Sequence, residues 1–127
     1  MRKLLPLLLA LLMLACNRTE HNSASDPAYA MLERVAELNA GGDKPGALAL
    51  ADSALLMHPA DTTRCWLLSE KAVTLVDMGR MADAVGVAQG AYRLAEKLHD
   101  VDAMLNLRGT MGIAYRRLGK TDSALVQ

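Results

Sequence analysis

The feature that most constrains this chain is a recurrence. Gly42, Gly79 and Gly119 are each followed five residues later by an alanine: Ala47, Ala84 and Ala124. Apolar residues flank each glycine at helical spacing: Met31, Leu32, Val35 and Leu38 before the first, Leu48, Leu50 and Leu55 after it. The stretch Gly112–Leu125 therefore reads as a helix, a tight turn at Gly119-Lys120 and the start of a second helix. Two antiparallel helices joined by so short a turn must approach closely, and only small side chains fit at their crossing. Ala47-Ala51-Ala54 and Ala84-Ala88-Ala91 form that small stripe twice.

Punctuation supports the same division. Asp26-Pro27 is a helix start, a capping residue followed by a ring whose fixed φ suits the first turn. Asp43 is placed to cap a second helix, which His58-Pro59 ends. Thr62 or Thr63 begins the next, Gly79-Arg80 turns it, and His99-Asp100 closes the pair, with Asp100 capping a third. Composition agrees, since the chain has no Phe, one Trp and three Tyr. Its Ala- and Leu-rich interior suits close-packed helices better than strands. The expected class is all-α, with antiparallel helical hairpins over residues 27–60, 62–99 and an incomplete 101–127.

These residues resemble the tetratricopeptide repeat (TPR). Gly112, Tyr115, Gly119 and Ala124 carry the pattern in the third copy, and Ala72, Leu75, Gly79 and Ala84 in the second. Val35 and Leu38 stand in the first copy, and Pro59 is where the family places a proline. The resemblance implies about two and a half repeats stacked as a right-handed solenoid, with first helices lining a concave, peptide-binding face. Carried over position by position, it implies groove residues Tyr29, Leu32, Ala36 and Asn39. In the second copy these are Trp66, Ser69, Val73 and Val76, and in the third Asn106, Ile113 and Arg116. Trp66 is the expected anchor, because an indole commonly carries much of a binding energy. Gln127 falls about two turns into the expected last helix, so further repeats or a partner are expected to cover that end.

The first residues read as an address. Arg2 and Lys3 precede an apolar run from Leu4 to Ala15, the layout of a secretory signal and too short to span a bilayer. Leu12-Met13-Leu14-Ala15-Cys16 resembles the lipobox of bacterial lipoproteins, which implies signal cleavage after residue 15 and lipid attachment at Cys16. A plain cleaved signal or an uncleaved anchor is the alternative. Residues 16–26 form a polar tether whose composition cannot bury enough surface to order itself. Asn17 in place of aspartate favours the outer over the inner membrane.

The remaining constellations argue against chemistry. Ala114–Thr121 loosely fits a phosphate loop, but Tyr115-Arg116-Arg117-Leu118 lacks the glycines that wrap a phosphate, and no strand precedes it. His21, His58 and His99 lie at unrelated positions, and no zinc or nucleophile motif is present, so neither enzyme activity nor a cofactor or metal is expected. With 14 basic and 14 acidic residues, no global field favours nucleic acid. Arg108, Arg116, Arg117 and Lys120 form a local basic cluster, either solvated surface or a contact for an acidic partner. Gly86 and Gly90 are expected to permit close helix packing, and Cys65 to be a small buried hydrophobe. The functional expectation is an envelope lipoprotein acting as a protein-binding scaffold. The alternative is the periplasmic input region of a longer signalling protein.

Overall fold

A computed structural model describes residues 26–126, with side chains through Lys120. The expected signal peptide, Cys16, the tether up to Ser25 and the alanine at 124 lie outside the residues whose side chains are described. The described residues form an all-helical fold: α1 (Pro27–Ala40), α2 (Lys44–Leu55), α3 (Asp61–Asp77), α4 (Met81–Leu98) and α5 (Val101–Val126), with no strand among them. Helix α3 is central and packs on the other four; α1 also packs on α2, and α4 on α5.

The first two expected turns form, by one mechanism. Leu38 O accepts from Asp43 N at 2.9 Å while Asn39 O accepts from Gly42 N at 3.2 Å. Leu75 O likewise accepts from Arg80 N at 2.8 Å, and Val76 O from Gly79 N at 3.0 Å. Both are Schellman closures, which return the last helical carbonyls to backbone donors and require a left-handed residue. Gly42 and Gly79 supply it, at φ 86° and 81°. Ala95 O and Glu96 O accept from Asp100 N and His99 N in the same pattern at the end of α4. There the left-handed residue is His99, at φ 54°, and His58 after α2 is similarly placed at 51°.

Side-chain caps complete the helix starts. Asp43 Oδ1 accepts from Gly46 N and Asp100 Oδ1 from Ala103 N, each at 3.0 Å. Asp26 does more than the sequence suggests. Its Oδ1 accepts from Ala28 N at the start of α1, and its Oδ2 from Ala60 N, just before α3 begins at Asp61. One carboxylate thus ties two helix starts together, and Asp26 belongs to the folded unit rather than to the tether. The Ala60 amide holds its carboxyl below the ordinary carboxylate value; partial burial opposes this, while the Ala28 amide and Thr63 hydroxyl assist.

The core repeats with the turns. Ala28 and Val35 of α1 are fully buried with Ala47, Ala51, Ala54 and Leu67. At the matching places on α3, Cys65 and Ala72 are buried with Ala88, Ala91, Ala95, Ala103 and Leu107. The small stripes on α2 and α4 are therefore the crossing surfaces the sequence predicts. Cys65 is the expected small hydrophobe; desolvation, then the Asp100 charge, pushes its thiol pKa up.

The third expected turn does not form. Helix α5 runs unbroken for 26 residues through Gly119 and Lys120. Residues 101–126 are thus one helix, and the stretch from Gly112 to Leu125 is not a helix–turn–helix. A turn forfeits helical hydrogen bonds and is compensated only when the following helix buries a face. The glycine pair at 86 and 90 also departs from expectation. Nothing lies within 4 Å of a Cβ built at either, so neither permits a close contact among the described residues.

Candidate protein-binding face

The odd-numbered helices carry the candidate site, and the repeat divides their expected residues into two rows. One row stays open: Tyr29 and Ala36 on α1 are exposed, Trp66 and Val73 on α3 half-buried, Asn106 and Ile113 on α5 exposed. Each residue stands 37 or 40 positions after its counterpart. The indole of Trp66 leans on the Cys65–Ala72 cluster. That contact orients the ring while leaving part of it in solvent. Asp77 and Arg117 continue the row by the same offset, and both are exposed. Arg117 also donates from Nη1 to Val76 O at 3.3 Å, fastening α5 to the end of α3.

The other row is structural, which corrects part of the expected groove. Ser69 is 2% exposed and its hydroxyl donates to Cys65 O at 2.8 Å. Val76 is 4% exposed. Leu32 packs into the first cluster. Asn39 is committed between helices: its Nδ2 donates to Glu70 Oε2 at 2.9 Å, and its Oδ1 accepts from Thr74 Oγ1 at 2.9 Å. A helix carried between two neighbours buries one more stripe than a spacing rule for a single face allows. Arg116 occupies the same row on α5 and is exposed, because no described residue covers that side of the helix.

The basic cluster also separates. Arg108 donates twice to Tyr92 OH, at 3.0 and 2.7 Å, and its guanidinium lies 5.5 Å from that ring. Arg116, Arg117 and Lys120 instead flank a shallow pocket of about 290 Å³ with Ile113. A larger groove of about 400 Å³, absent from the sequence reading, lies between α2, α3 and α4 on the far side of α3 from Trp66. Its charges are already compensated, since Lys71 pairs with Asp52 at 2.7 Å and Arg80 with Asp83 at 2.9 Å. It resulted from tertiary packing with no local sequence signal.

Among the described residues no group of three or more His, Cys, Asp or Glu could hold a metal ion. The segment that loosely fits a phosphate loop is helical, so its backbone amides point along the helix and cannot wrap an anion. Among the described residues, no helix is long and apolar enough to cross a membrane. No protein-family model, curated protein or solved structure matches the chain.

Proposed function

We propose that this chain is a lipid-anchored protein of the bacterial cell envelope whose TPR-like hairpins offer a protein-binding face. The observation that carries the reading is the repeated division of the odd helices. The Ala28–Val35 row buries against α2 and Leu67 of α3, and the Cys65–Ala72 row against α4 and α5, while Tyr29, Trp66, Val73 and Ile113 stand on an open row. Schellman closures at equivalent glycines, small crossing stripes and the packing of α1 on α3 and α3 on α5 support a solenoid arrangement. An aromatic in an apolar row with polar ends suits an extended or helical peptide, and the desolvated indole supplies most of the attraction. The anchor rests on the charged start, the apolar run and Ala15-Cys16. Several acyl chains at one residue give lasting attachment where one alone is marginal.

Two experiments test the reading. Labelled palmitate should enter the wild-type chain and not Cys16→Ser, and globomycin should block processing; equal label in both chains would remove the lipoprotein assignment. A photo-crosslinking residue placed at Trp66 should form a discrete adduct in cells, and one at Ala82 on α4 should not. Equal yields at the two positions would remove the open-row assignment.

A further inference from the structure

We propose that the outward face of α5 is a homodimer seam, on which a second copy of this chain docks its own α5 antiparallel. This goes beyond the peptide-binding reading and does not depend on it, although Ile113 at the edge of the open row belongs to both faces. The face is defined by the repeat. Cys65, Ser69, Ala72 and Val76 of α3 are buried, Cys65 and Ala72 packed with residues of α4 and α5 and Val76 with Ala84 and Ala114; the residues 40 positions later are Leu105, Gly109, Gly112 and Arg116. All four are exposed. Leu105 is 60% exposed and Ile113, about two turns further along the helix, 38%, whereas Cys65 at the position matching Leu105 is fully buried. Nothing lies within 4 Å of a Cβ built at Gly109 or Gly112, so these glycines serve no close contact among the described residues.

Charge selects the occupant and its direction. On this face Asp102 stands seven residues before Gly109, and Arg116 seven after. Leu105 stands four before, and Ile113 four after. At 100° per residue these five positions fall within one stripe of the helix. A two-fold axis through Gly109 therefore sets Asp102 against Arg116 of the second copy, twice, and Leu105 against its Ile113, twice. The two Gly109 residues meet at the crossing, where the absence of a side chain lets the backbones approach as the alanines of α4 do against α3. Parallel pairing would instead oppose like charges, Arg116 to Arg116 and Asp102 to Asp102. A closed two-fold contact also leaves no face free to propagate a filament.

Sedimentation velocity of the full chain in a mild detergent tests this. Wild type should show a concentration-dependent dimer. Asp102→Arg and Arg116→Asp should each weaken it about tenfold or more, and the double exchange should restore it, because the pair is then rebuilt with its signs swapped. The substituted positions are exposed, so helix content by circular dichroism should be unchanged. In a Cys16→Ser background, Gly109→Cys should oxidise to a covalent dimer and Gly86→Cys should not. Trp66→Ala should leave the dimer intact, which separates this seam from the peptide face. A monomer at every concentration, single exchanges without effect, or a double exchange that fails to recover would each overturn the proposal, as would absence of the Gly109→Cys dimer.

Discussion

The hairpin of α3 and α4 and the single helix α5 start from similar sequences and end differently. Both first helices carry a glycine at the expected turn, Gly79 and Gly119, with an alanine five residues on. At Gly79 the backbone is left-handed, at φ 81°, and the alanine is fully buried against the preceding helix. At Gly119 the helix continues. The difference teaches that a turn glycine permits a hairpin and that the packing of the helix after it produces one. Ala84, Ala88, Ala91 and Ala95 bury that packing in the second hairpin.

The largest expected contrast is at the crossing. Ala72 is fully buried, and Gly112 holds the matching position with open space around it. Ala72→Leu should cost about 1–3 kcal/mol in urea unfolding through overpacking, whereas Gly112→Leu should cost nothing and add helix propensity. Equal losses at the two sites would erase the distinction between the regions. Next come the glycines themselves. Gly79→Ala places a Cβ on a left-handed residue and should destabilise by about 1 kcal/mol, while Gly119→Ala in a helix should stabilise by up to about 1 kcal/mol. Opposite signs sharpen the comparison; a loss at both would place a turn at Gly119.

A smaller effect follows from the ties that hold α3 in place, which α5 shares only in part. Asn39→Ala removes the side chain that joins α1 to Glu70 and Thr74 and should cost about 0.5–1 kcal/mol, because Thr74 keeps its bond to Glu70 O at 2.8 Å. No loss in thermal or urea unfolding would remove Asn39 from the structural row. The mildest effect concerns Asp26. Its carboxyl is held below its unfolded value near 3.8, so the unfolded chain takes up the proton more readily. Its contribution is complete above that value and is lost as pH falls through the folded pKa. Asp26→Asn should be less stable than wild type at neutral pH, and the gap should close on acidification. A gap unchanged between neutral pH and pH 2 would contradict the double-cap role.

Much of this was readable from residues alone, for local reasons. Asp43 and Asp100 are short acceptors at helix starts, Gly42 and Gly79 are glycines where a left-handed residue is required, and the alanine stripes announce a close crossing. His58 and His99 were not readable as left-handed positions, because a histidine there pays a steric cost that only the surrounding chain can offset. Nor was the division of the odd helices. Ser69 and Asn39 are polar residues, and the burial of the first and the hydrogen bonds of the second depend on which neighbour each helix is clasped by. The turn at Gly119 failed for the same reason: its local signal is sound, and the packing that would use it is not among the described residues.

The most direct test of the central claim is a distance across Gly119. Spin labels at Gly112→Cys and Val126→Cys, in a Cys16→Ser background and diluted with unlabelled chain, report it by pulsed electron resonance. The continuous helix predicts a backbone separation of about 21 Å, from a rise of 1.5 Å per residue. A hairpin folded at Gly119-Lys120 would bring the two positions side by side, at about 10 Å, and that result would contradict the account.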